Sequence, residues 1–339
     1  MPLFLISLPI IPIDRMWHVP LYLTIIEFGV GAATLLSLGL FLLVLKQYQI
    51  LHPNCRFLLV CLAVALVSLT SVYMVELSAV VENVTLPERG DTVNHPYLRN
   101  IWFLHETFYA LTSLLMFCLT LERFYACIYA ERYGMSQKFC LISILAVVLS
   151  VIGSMTFGYY IHFRDIHIPT TSIINSFEIC SLFLSLFTLF WSRRQYRSME
   201  NVNLNYRYQM VEVINLTKCI IPAIMLGVFF KLAAMFFVWR MIFLDMDPVC
   251  YSEIVSAYGL LFPWVVMIRH DRMRTTLYHL LPGCGDAKAR RIEKETLKSV
   301  ERLTKPYATQ DEYFSVLGVF LGTPEKTKFK TINNTPYAV

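Results

Sequence analysis

Charged side chains are scarce in this chain: 16% of its 339 residues are Asp, Glu, Lys or Arg, against 56% hydrophobic. Where they fall is therefore informative, and two groupings could do chemistry. In the first, the pair Glu122-Arg123 closes an apolar run that begins at Leu114, and aromatics and more charge follow at Glu131-Arg132. Charge inside hydrocarbon is expensive, so such a pair marks where lipid gives way to water. In the second, Glu27, Glu76, His105, Glu106, Glu178, Lys231 and Glu253 interrupt apolar stretches at a similar distance from one end. Acids from several helices at one depth, with a single ammonium, describe a polar vestibule for a small polar or cationic ligand, Lys231 being paired with a neighbouring Glu. Interhelical pairs and snorkelling groups that hold no ligand would leave the same trace. No catalytic triad, phosphate-binding loop, paired catalytic carboxylates or Cys/His metal spacing is present, so the expectation is a protein that is not an enzyme and carries no cofactor or metal.

The elements that position these residues follow from composition. Mean hydropathy is +0.55, more apolar surface than a soluble domain of this length can hide, and the apolar stretches exceed ordinary core helices. The expected fold is all-α: a polytopic membrane protein forming a seven-transmembrane helix bundle. Its crossings fall at about 20–45, 57–81, 100–124, 138–161, 171–191, 213–239 and 251–268. Residues 1–19 form an extracellular N-terminus broken by Pro2, Pro9 and Pro12, with no basic start or small-residue cleavage site to suggest a removed signal peptide. Gly29, Gly31, Ala32 and Ala33 in the first crossing permit close helix approach. Pro222 and Pro263 should kink the sixth and seventh crossings.

Orientation follows from short-loop basicity. Loops one, three and five plus the start of the tail hold eleven Lys and Arg residues, and the N-terminus and remaining loops hold five. This places the N-terminus outside, the C-terminus in the cytosol, and Glu122-Arg123 at the cytosolic mouth. The tail, 269–339, starts with a stretch at 269–281 suited to a helix on the membrane surface, next to lipid headgroups. Cys284 beyond it is a palmitoylation candidate, and Asn83 in the sequon Asn83-Val84-Thr85 is a glycosylation candidate. Cys61, Cys118, Cys180 and Cys219 fall inside helices, so no disulfide framework is expected. The net charge of +5 suits membrane lipid; nothing in the pattern points to nucleic acid.

At the cytosolic mouth Arg123 needs a partner that could move. Glu212, where the kinked sixth helix begins, is expected to pair with it and hold that end shut, so that Glu212→Ala raises basal signalling. A partly exposed pair contributes about 0–1 kcal/mol, and inverting a 1:99 equilibrium takes roughly 5.5, so the pair can only bias the transition.

Two stretches carry a resemblance. Leu121-Glu122-Arg123-Phe124-Tyr125-Ala126 followed by Tyr129-Ala130-Glu131, and Leu204-Asn205-Tyr206-Arg207-Tyr208-Gln209-Met210-Val211-Glu212, resemble the nematode serpentine receptor class epsilon (Sre) chemoreceptors. The likeness extends over most of the chain through loop lengths and the proline-containing last two helices. It implies a G-protein-coupled receptor in the plasma membrane of sensory neurons. Such a receptor detects a small environmental molecule, with Glu122, Arg123, Arg207, Tyr208, Gln209 and Glu212 at the surface met by a heterotrimeric G protein; a dimer is compatible with it. The chain lacks a Cys at the outer start of helix three, Asn-Pro-x-x-Tyr in helix seven and Trp-x-Pro in helix six, so rhodopsin-type pocket geometry does not carry over. The alternative is a ligand-gated channel or transporter without G-protein coupling. It would want polar residues through the midplane or an inverted repeat, and the sequence offers neither.

Overall fold

The computed structural model describes residues 21–47, 51–85, 96–130, 133, 141–164, 166–197, 204–244 and 251–280. They form helices α1 (Leu21–Gln47), α2 (Pro53–Thr85), α3 (Pro96–Ile128), α4 (Leu141–Arg164), α5 (His167–Arg197), α6 (Leu204–Leu244), α7 (Tyr251–Arg269) and α8 (Asp271–Leu280). No strand occurs among the described residues. Helices α1 to α6 are long and apolar enough to cross a bilayer, and the described part of α7 adds the apolar stretch Ala257–Arg269. At 19 residues, α7 rises about 28 Å, close to a hydrocarbon core of about 30 Å. The chain divides into units Met1–Leu277 and Tyr278–Val339; the second is described only where it completes α8. The N-terminal segment 1–19, Cys284 and the rest of the tail lie outside the described residues.

The first unit is a closed bundle. Neighbours in sequence pack from α1 to α4 and from α4 to α6, α6 packs on α7, and α7 returns to α1. Helix α3 runs through the middle, touching α2, α4, α5 and α6. Its apolar window is 56% buried, against 22% for α4 on the rim. The side chains that α4, α5 and α6 turn outward are large and apolar: Leu141, Ile142, Leu145, Phe183, Phe190 and Phe229 are all exposed. Water would not tolerate that belt; lipid does.

Hydroxyls inside the bundle are mostly satisfied within their own helix. Thr70 donates to the Leu66 carbonyl at 2.9 Å, Ser150 to Ala146 at 2.8 Å and Thr188 to Leu184 at 2.7 Å, a bond that needs no help from a neighbour. Pro222 and Pro263 both sit inside continuous helices. Pro263 cannot donate to the Gly259 carbonyl; at that weakened turn Ser37 of α1 donates to the next carbonyl, Leu260, at 3.2 Å.

Two glycines mark close approaches of different kinds. A side chain at Gly31 would meet the Met74 thioether, which is flexible and can yield. At Gly158 of α4 a Cβ would lie 2.5 Å from Thr107 Oγ1 and 3.4 Å from the Phe103 carbonyl oxygen. The Thr107 hydroxyl is itself anchored to that carbonyl at 2.7 Å. Gly158→Ala is therefore expected to cost about 1–3 kcal/mol of overpacking. The melting midpoint of the purified protein should fall by several degrees, and an unchanged midpoint would show that α4 can simply slide outward.

Candidate functional site

Four polar residues of α3 lie on one stripe. His105, Tyr109, Thr112 and Ser113 recur at the spacing that returns a helix to the same face, and all four are buried. Each meets a partner from another helix. Across α2 and α3, His105 Nδ1 bonds both carboxylate oxygens of Glu76, at 3.0 and 2.8 Å. Glu106 lies within electrostatic reach of both. Deeper along the stripe, the Tyr109 hydroxyl donates to Asn175 Oδ1 of α5 at 2.9 Å, and the Asn175 amide reaches the Met235 sulfur of α6 at 3.6 Å.

At the centre Lys231 of α6 meets Glu178 of α5, with Nζ 2.5 Å from Oε1. The same ammonium donates to Ser113 Oγ and, at 3.3 Å, to Thr112 Oγ1. It lies 5.0 Å from the centroid of the Tyr109 ring. Lys231 is 4% exposed and Glu178 1%, so neither charge has water to fall back on, and each depends on the other. Tyr258 of α7 is buried within electrostatic reach of Glu178. It fits against α6 because Gly227 has no side chain: a Cβ there would stand 3.2 Å from the ring.

The pairing of Lys231 with a glutamate agrees with the expectation from sequence; its depth differs. Helix α6 continues to Leu244, so Lys231 lies about 20 Å of helix from that end. Glu27 is buried on α1, and Glu253 lies in the first turn of α7, where the backbone alone is described. Asn83 is likewise placed by backbone only, inside α2.

The second cluster closes the opposite end of α3. Arg123 is 3% exposed. It donates from Nε to Glu122 Oε2 at 2.5 Å, from Nη2 to Glu122 Oε1 at 2.6 Å, and from Nη2 to the Tyr133 hydroxyl at 3.0 Å. The Tyr133 hydroxyl in turn donates to Glu122 Oε1. The chain reaches Tyr133 through two further helical turns, Tyr129 N to Tyr125 O and Tyr133 N to Tyr129 O. The ring then seats among Ala126, Cys127, Ala130, Met210 and Val213. His52, just before α2, lies against it with ring centroids 3.8 Å apart. Burial pushes the Tyr133 phenol up; Arg123 pulls it down, and Glu122 raises it further. It thus stays a neutral donor at physiological pH.

The expected Arg123–Glu212 bridge is not what forms. Glu212 Oε1 accepts from the His52 backbone N–H at 3.3 Å, tying α6 to the start of α2, while Glu122 occupies the guanidinium. Neighbours on a helix diverge, but two long side chains can fold back into the two-point geometry that Arg favours, and burial rewards the nearest carboxylate. Gln209 is buried beside this cluster on α6; Arg207 and Tyr208 lie in the same helix with backbone only described. The groups that sequence reasoning passed over are Tyr133, His52, Tyr109, Asn175, Thr112 and Ser113. Asn175, an amide in an apolar run, was the one legible signal among them; the rest look like ordinary helix residues.

A ring of apolar helices around a central α3, with buried charge toward both of its ends, is the architecture of a polytopic membrane helix bundle. Residues 91–318 match the family model of the Sre G protein-coupled chemoreceptors. That is more than half of the chain, which therefore belongs to this family. No curated protein matches it.

Proposed function

We propose that this chemoreceptor binds a small molecule in the half of the bundle that holds Lys231, and activates a heterotrimeric G protein at the end that holds Arg123. In this reading the N-terminus is outside and the Arg123 end faces the cytosol, in the plasma membrane of a sensory neuron. Glu76, His105, Glu106, Glu178 and Lys231 form the ligand site, with Glu27 and Glu253 nearer its rim. Glu122, Arg123, Gln209, Glu212, Arg207 and Tyr208 form the coupling surface.

The observation that carries the reading is that α3 and α6 each contribute to both clusters. Helix α3 supplies Ser113 to one and Arg123 to the other, about 15 Å apart along the helix. Helix α6 supplies Lys231 to one and Glu212 to the other. A ligand that rearranges the Lys231 contacts therefore acts on the helix whose far end is tied to α2 through His52. The hold there includes the His52 backbone bond to Glu212 and the Tyr133 packing, and differential ligand affinity for the two states must supply about 5.5 kcal/mol for a full population shift.

The test is a small-molecule screen on cells expressing the full chain with tagged termini, read as G-protein activation. Activation by some compounds, with the N-terminal tag stained on intact cells and the C-terminal tag only after permeabilisation, is the expected result. Compound-evoked current in reconstituted bilayers lacking G protein would replace this reading with a channel.

A further inference from the structure

The hydrogen-bond inventory of the buried Lys231 site fixes what kind of molecule it can take. An ammonium has three donors and no acceptor. All three donors of Lys231 are committed, to Glu178 Oε1, Ser113 Oγ and Thr112 Oγ1. The hydroxyls of Thr112 and Tyr109 are committed as well, to the Tyr109 carbonyl and to Asn175 Oδ1. The Ser113 hydroxyl keeps a proton to donate, but the buried charged group left open is an acceptor: Glu178 Oε2 lies in a residue 1% exposed and has no hydrogen-bond partner among the described residues. A buried carboxylate oxygen left unpaired costs free energy, so a donor that reaches it is favoured.

Charge points the same way. Tyr109 lies within electrostatic reach of both Glu106 and Glu178, and Glu106 within reach of Glu76 and His105. Three carboxylates face one ammonium and one imidazole. Acidic groups thus outnumber basic ones, and in a low-dielectric interior that balance favours a cation over an anion. Tyr109 and Tyr258 are both buried within electrostatic reach of Glu178, so the carboxylate has aromatic residues near it, which suits an apolar or aromatic stem.

Resting on the reading that this half of the bundle holds the ligand, we infer that the receptor recognises a protonated amine on a short apolar or aromatic stem. The amine donates to Glu178 Oε2. Carboxylates and phosphates are rejected, because acidic groups outnumber basic ones around the site and repel them.

The test uses the full chain in lipid nanodiscs, followed by thermal unfolding with n-butylammonium, benzylammonium and 2-phenylethylammonium. The corresponding alcohols and size-matched carboxylates serve as comparisons. At least one amine at saturating concentration should raise the midpoint by about 2–4 °C, and the carboxylates should not. Glu178→Gln should abolish the shift. The double variant Glu178→Gln/Lys231→Met, which removes both members of the pair and so leaves no unpaired charge there, is expected to fold even if the single variant does not, and should abolish it too. A shift by amines that persists in the double variant, or an equal shift by carboxylates, overturns the amine assignment while leaving a pocket in place. A wild-type midpoint that no compound moves overturns both the assignment and the pocket.

Discussion

Lys231→Met is expected to reduce folded receptor at the cell surface at least tenfold. Glu178 would be left as a carboxylate 1% exposed without its cation, and breaking a buried pair from one side costs about 3–5 kcal/mol. Total stability is only about 5–15 kcal/mol, and each 1.4 kcal/mol is a factor of ten. Adding Glu178→Gln should recover most of the loss, since the amide keeps an acceptor and a donor but no charge. Surface staining together with a melt of the detergent-solubilised protein reads both effects. A single variant as abundant and as stable as wild type would mean that Glu178 simply takes up a proton, and that the pair is not what holds α5 to α6.

Arg123→Ala acts at the other end and should spare surface abundance more than signalling. Its guanidinium ties Glu122 to Tyr133, and Tyr133 in turn packs against His52 and Met210. Without the cation, Glu122 keeps the Tyr133 donor, and the proposed coupling surface loses both its charge and its shape. Activation by a compound found in the screen should fall at least tenfold at matched surface expression. Arg123→Lys should lie between the two, because a compact ammonium keeps the charge but lacks the planar fork that pairs with both Glu122 oxygens. Full activation by Arg123→Ala removes this cluster from the coupling mechanism. Glu212→Ala still tests the link between α6 and α2, but through the His52 backbone and not through Arg123.

Much of the architecture was legible before any coordinates. Long apolar stretches must be helices in lipid, because no other open backbone satisfies its own hydrogen bonds there. The likeness of Glu122–Ala126 and Arg207–Glu212 to the Sre receptors agrees with the family match over residues 91–318. Intramembrane charge also identified Lys231 and its acidic neighbours, since such groups must find partners. Which partner each one finds is a different kind of question. Glu178 takes Lys231, and His105 takes Glu76, from among several acids with equal claims by sequence.

At Arg123 the sequence argument chose wrongly between two glutamates. It weighed helix periodicity, which sets adjacent side chains apart, and could not see Tyr133 returning to brace the nearer one. Periodicity and hydropathy are properties of one helix and its solvent, so the chain alone determined seven apolar segments, the family and the placement of its charges. Choice of partner depends on distances between helices and on competition for a few buried hydrogen bonds. Only the packed bundle decides those, because removing a charge from water makes its nearest available neighbour worth more than any rule of spacing.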